Sequence, residues 1–228
     1  MAEIEFYRKN LLIIHPDLNN PAPQLRRADN TVLVELVDVT KDHVTVKRQK
    51  QRNALARLIV PKSRKSFWET PSSIYKVCPA TPGNRKAFPA YICPYSDNAI
   101  HSMMLGQAAE IMFTGEMDGC TFGVGMPNRD GGVRVAHANA QLKATGSQWK
   151  PNFTPQREEQ DRMLSLARAD AHTVQPAAYR DRTGPRDGTE RTAVIIGLRN
   201  RATWEFYYQK QQSDGNDLRN LMELVKIN

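Results

Sequence analysis

The stretch Pro127-Asn128-Arg129-Asp130-Gly131-Gly132 lies between two apolar runs, 120–126 and 133–139, and constrains the fold more than any other part of the chain. Pro, Asn, Asp and Gly in succession supply the backbone conformations of a tight turn, and extended runs on either side of such a turn pair as an antiparallel hairpin. With 127–132 as the loop and 126 opposite 133, the numbers of opposed residues sum to 259. Side chains alternate across a strand, so Cys120, facing Asn139, shares a face with His137 one diagonal step away. Diagonal neighbours in an antiparallel pair lie roughly 7–8 Å apart, close enough for a thiol and an imidazole leaning together to meet. A slip of one residue would put them on opposite faces.

Other segments fill in a sheet. Residues 31–40 are rich in β-branched side chains and put Val32, Val34 and Leu36 on one face; 43–47 and 55–60 continue the pattern. Residues 61–94 carry six prolines with little periodicity, as in an irregular connection with short strands. Residues 101–112 place Met104, Ala108 and Ile111 at helical spacing, which predicts a buried helix opened by His101. Residues 156–170 read as a polar helix turning Met163, Leu166 and Ala167 inward, and 180–192 as a charged loop. The continuous apolar run 193–198 suits a central strand, 203–209 alternates beside it, and Leu218, Leu221, Met222 and Val225 predict a last short helix. The expected fold class is α/β of the α+β type. It would be a single domain spanning 1–228, with a largely antiparallel mixed sheet or sandwich core flanked by helices.

Composition narrows the setting. No apolar stretch approaches the roughly 18 residues of a membrane-spanning helix. The first residues, Met1 to Glu5, carry acids where a secretory signal would carry Lys or Arg. Three cysteines are too few and too odd for a disulfide framework, which points to a reducing compartment. The formal net charge is +8, but its basic residues are dispersed. A solvated basic surface is therefore favoured over an RNA-binding one. Cys78 and Cys93 lack zinc-ligand spacing and read as structural thiols, and Asp130 belongs to a turn rather than a calcium loop.

Cys120 and His137 are the minimal apparatus for nucleophilic attack on an amide. The imidazole draws the proton from sulfur, and the thiolate attacks. A third group must hold the ring, and Thr114 and Asn139 are the candidates. Gly119 before the Cys, with Gly123 and Gly125 after it, admits close approach of backbone and substrate, and backbone N–H groups near Cys120 can hold an oxyanion. The ordinary alternative is a small buried thiol and a satisfied structural His.

These residues resemble the toxin glutamine deamidases, the family of Burkholderia lethal factor and cytotoxic necrotizing factor, with the chemoreceptor deamidase as a distant relative. Phe113-Thr114 precedes Asp118-Gly119-Cys120 by the family's spacing, and Gly131-Gly132-Val133 leads to His137. Ala193-Val194, Gly197, Arg201 and Tyr207-Tyr208-Gln209 are similar to that toxin's last strands. Two departures stand out: Asp118 replaces a Ser, and the interval from Cys to His is longer. A carboxylate beside the nucleophile raises the thiol pKa unless it points away.

The resemblance implies the toxin deamidase fold and hydrolysis of a glutamine side chain on a host regulatory protein, of the Rho-type GTPase or translation-initiation RNA helicase class. Cys120 would be the nucleophile, His137 the base and then the acid, and Thr114 the residue supporting the His or the substrate. No cofactor and no metal enter this chemistry. The protein would be a monomer, made in the bacterial cytoplasm and active in the host cytosol after delivery by other machinery. A cysteine protease or transglutaminase of similar geometry is the nearest alternative. A non-enzymatic basic module binding RNA or an acidic protein is a further one.

Overall fold

The computed structural model describes residues 2–19, 27–42, 72–140, 154–180, 190–213 and 219–227. The expected strands at 43–47 and 55–60 and most of the 180–192 loop lie outside them. Helix α1 (Ala2–Lys9) leads into β1 (Leu11–Ile14). There follow β2 (Thr31–Asp38), β3 (Ile74–Pro79), β4 (Phe88–Cys93), β5 (Ala99–Leu105) and β6 (Ile111–Thr114). Then come β7 (Thr121–Pro127), β8 (Val133–Asn139), helix α2 (Thr154–Leu166) and β9 (His172–Val174). One helical turn at Pro176–Tyr179 precedes β10 (Glu190–Asn200), β11 (Thr203–Ser213) and β12 (Arg219–Lys226).

These strands build two sheets. The larger runs β1-β3-β2-β4-β6-β10-β11-β12, and the smaller runs β5-β8-β7-β9. Among the described strands only β1–β3 and β4–β6 pair in parallel, so the sheet is mixed and largely antiparallel. Sheets dominate and helices are few: the fold is a sheet-rich α+β arrangement. One apolar cluster joins the two sheets, with Phe122, Val124 and Val135 of the smaller meeting Met112, Ile195 and Phe206 of the larger. A second covers the other face of the larger sheet with Leu12, Val34, Phe113 and Ile196. As the continuous apolar run of 193–198 predicts, β10 is central and buried on both faces.

Two predicted helices are strands. Residues 101–112 divide between β5, paired with β8 from Ala99↔Asn139 to Leu105↔Val133, and β6, held between β4 and β10. The bend between them is fixed from outside: the Tyr91 hydroxyl accepts from the N–H groups of Gly106 and Ala108, and the Trp204 indole donates to the Gly106 carbonyl. The same spacing of apolar residues that fits a helix also fits strand, bend and strand, and pairing partners decide between them. The C-terminal segment is β12, paired antiparallel with β11, for the same reason.

Helix α2 forms where predicted, and Met163 and Ala167 pack partly buried against the core as expected, but its fully buried stripe is a different one. Gln156, Gln160 and Leu164, spaced at i, i+4 and i+8, are buried, whereas Leu166 is 72% exposed. The buried glutamine is bonded rather than stranded: Gln160 accepts from the Thr121 hydroxyl and donates to the Gly119 carbonyl. Gly123 faces the segment after this helix, where a Cβ would collide with the Ala169 carbonyl oxygen. Its lack of a side chain therefore serves packing on the outer face of β7, not substrate approach. Trp204 packs against Tyr91 and Phe206, as a structural tryptophan should.

Candidate active site in the central hairpin

The β7–β8 hairpin has the predicted register. Thr121 faces Ala138, Phe122 faces His137, Gly123 faces Ala136 and Val124 faces Val135. A bulge between Val124 and Pro127 shifts the pairing only at the turn. Cys120, Phe122 and Val124 sit in the inter-sheet core with Val133 and Val135. By alternation His137 continues the Val133–Val135 row, so Cys120 and His137 belong to the face turned toward the larger sheet. Opposite His137 on its other side lies His101 of β5, not at a helix start, with its Nε2 2.6 Å from the Ser96 hydroxyl.

The backbone carrying the thiol is tied on three sides. The Tyr179 hydroxyl donates to the Cys120 carbonyl at 2.8 Å, and Gln160 holds the Gly119 carbonyl at 3.0 Å. Met117 and Ala193 exchange both backbone hydrogen bonds, at 2.7 and 3.0 Å, locking the segment before Gly119 to β10. Thr114 is fully buried, and its hydroxyl accepts from the Ile195 N–H at 3.1 Å. That oxygen is thus engaged in joining β6 to β10 rather than bonded to the imidazole. Asn139 donates to the Asp97 carboxylate at 3.2 Å.

His137 is wholly buried, and among the described residues neither ring nitrogen has a hydrogen-bond partner. Tyr95 lies over it, with ring centroids 5.5 Å apart. Burial, and secondarily His101, pushes the imidazole down to about 3, so the ring is neutral. Cys120 is 4% exposed; burial first, then the carboxylates of Asp118 and Asp97, pushes its thiol up to about 12. Asp118 therefore acts in the direction expected of a carboxylate beside the nucleophile. At rest these surroundings favour a neutral thiol and a neutral imidazole over a thiolate–imidazolium pair. Buried Cys93 is likewise pushed up to about 12 by burial, and its Sγ lies 3.7 Å from the His101 carbonyl oxygen.

Tyr95, Asp97, Gln160 and Tyr179 were not singled out in the sequence. Only Gln160 left a signal, as the middle member of the Gln156–Gln160–Leu164 stripe. The others arrive from the β4–β5 connection and the Pro176–Tyr179 turn, whose positions depend on packing. Among the described residues no group of three His, Cys, Asp or Glu side chains could hold a metal ion, and no helix is long and apolar enough to cross a membrane.

No protein-family model matches the chain, and no curated protein matches it. Among solved structures, the C-terminal domain of CNFy from Yersinia pseudotuberculosis is similar over 61% of this chain, with a TM-score of 0.33 and 9% identity. The similarity spans 61% of that domain's own length, less than two thirds.

Proposed function

We propose that the chain is a toxin-type protein-glutamine deamidase in which Cys120 is the nucleophile and His137 the proton carrier. The supporting observation is the shared inter-sheet face of Cys120 and His137, with an imidazole whose nitrogens are both unpartnered among the described residues. A neutral imidazole is ready to accept a proton, and one with no competing bond is free to take it from sulfur. The Cys120 sulfur attacks the carboxamide carbon as its proton passes to His137. The tetrahedral intermediate collapses with expulsion of ammonia, which takes that proton. Water, deprotonated by His137, then hydrolyses the thioester to give Glu and restores the thiol. The tethered carbonyls of Gly119 and Cys120 hold the nucleophile's backbone in place through these steps. The likeness of Phe113-Thr114 and Asp118-Gly119-Cys120 to the toxin deamidases supports a host regulatory protein as target, with action in the host cytosol as a monomer.

One observation favours a second reading, a non-enzymatic binding module: Cys120 is almost covered and His137 entirely so, as in an ordinary core. The test is to express the protein and its Cys120→Ser variant in eukaryotic cells and search the proteome for amide-to-acid mass gains. Gains that appear only with the unaltered protein are expected. No gain, or equal gains with both, sinks the deamidase reading in favour of the module.

A further inference from the structure

Beside the hairpin runs a cleft of about 460 Å³, lined in part by Asn19, Arg27, Ser102, Met103, Met104 and Arg134. Strand β5 forms one wall. In the four-stranded sheet β5 is an edge strand, pairing with β8 and with no other strand among the described residues. An edge strand presents a row of backbone donors and acceptors to any extended chain laid beside it. Met104, 42% exposed, offers apolar surface along the same wall. Two guanidinium groups reach the cleft. Among the described residues Arg27 holds only a long ion pair with Asp29, at 3.9 Å, and Arg134 has no ion-pair partner.

The cleft is contiguous with the candidate site. Asn19 abuts Gly115, where a Cβ would meet its Oδ1 at 2.7 Å. Tyr95 meets the same position at 2.8 Å and lies over His137. Along β5, Met104 faces Arg134 on the outer face of the sheet, and three residues away His101 faces His137 on the inner face. Three strand residues span roughly 10 Å, at about 3.3 Å each. The charge changes sign over that distance, since Asp97 and Asp118 lie near the thiol.

Resting on the deamidase reading, we infer that this cleft docks an extended acidic segment of the protein substrate, added as a strand to the edge of β5. Backbone hydrogen bonds to β5 hold the segment, and Arg134 and Arg27 take its carboxylates in charge-assisted pairs. The target glutamine then lies beyond the docked strand, about four to six residues from the acidic positions, because the segment must leave β5 and pass β8 to reach Cys120 at the start of β7, in a stretch free of acids where Asp97 and Asp118 would repel them.

Binding is read by fluorescence anisotropy with the Cys120→Ser protein and labelled twelve-residue peptides. Each carries a central Gln and, four residues away, either an Asp-Glu pair or a Lys-Lys pair. The acidic peptide is expected to bind at least tenfold tighter, Arg134→Glu to reverse that preference, and alternate N-methylation of the peptide backbone to abolish binding. Equal binding of the two peptides overturns the inference, as does binding that survives N-methylation. Binding of single-stranded RNA but neither peptide, lost in Arg134→Glu, would overturn it in favour of a nucleic-acid cleft. Because no turnover is involved, the outcome separates from the deamidase test. Glutamine conversion without acidic preference removes the dock alone, and acidic binding without conversion removes the deamidase alone.

Discussion

Gln209 in β11 and His137 in β8 are both completely buried, yet their polar atoms fare in opposite ways. The Gln209 amide accepts from the Leu12 N–H and from Gln211, and donates to the carbonyls of Tyr7 and Asn10. It ties α1 and β1 to the far part of the larger sheet. His137, in the inter-sheet core, has no hydrogen bond at either nitrogen among the described residues. Leaving a buried polar group unpaired costs about 1–3 kcal/mol, so the two side chains contribute to stability with opposite sign. A bonded amide at that depth is structural. An imidazole with nothing to bond is a cost to the fold, and an available base if substrate reaches it.

The comparison breaks most readily at Gln209. Gln209→Leu strips partners from the Leu12 N–H and from the carbonyls of Tyr7 and Asn10, and is expected to cost about 3–5 kcal/mol in urea unfolding. A loss below about 1 kcal/mol would mean that the amide network is incidental. The matching change at His137 should not destabilise. His137→Phe keeps a ring beneath Tyr95 while removing two unpaired nitrogens, so stability at neutral pH should hold or rise by about 1 kcal/mol.

A pH series sharpens the same point. The folded-state imidazole is held at about 3, below its ordinary value of 6.5. Between those values the unfolded chain binds a proton that the folded protein refuses. Stability is therefore lost as pH falls from about 6.5 toward about 3, by roughly 1.4 kcal/mol per unit. Subtracting the His137→Phe curve from that of the unaltered protein should leave this slope. A flat difference would mean that the imidazole finds a proton acceptor in the fold. The smallest effect is expected at Asp118. Asp118→Asn removes a carboxylate that raises the thiol pKa, so alkylation of Cys120 at pH 8 should quicken about two- to fivefold. An unchanged rate would leave burial and Asp97 as the causes.

How legible these features are in the sequence depends on whether local chemistry can specify them. Between 120 and 139 the turn residues and the flanking apolar runs agree, so register and the shared face of Cys120 and His137 can be read directly. Residues 101–112 cannot be read that way. Their apolar spacing satisfies helix and broken strand alike, and the bend at Gly106 depends on Tyr91 and Trp204, which are distant in sequence. Residues 219–226 pose the same ambiguity, resolved by β11. In the candidate site, Thr114 is named through the resemblance as a support for His137, but the engagement of its hydroxyl with Ile195 is not legible in the sequence.

What the chain determines alone is the hairpin and the side on which its thiol and imidazole stand, because a tight turn and period-two alternation act between near neighbours. The second sheet decides the rest: it buries both groups as neutral species, lays Tyr95 over the ring and, among the described strands, leaves β5 at the edge of its sheet. Burial and charge at a point depend on every segment that packs there, and no local stretch of sequence carries that information.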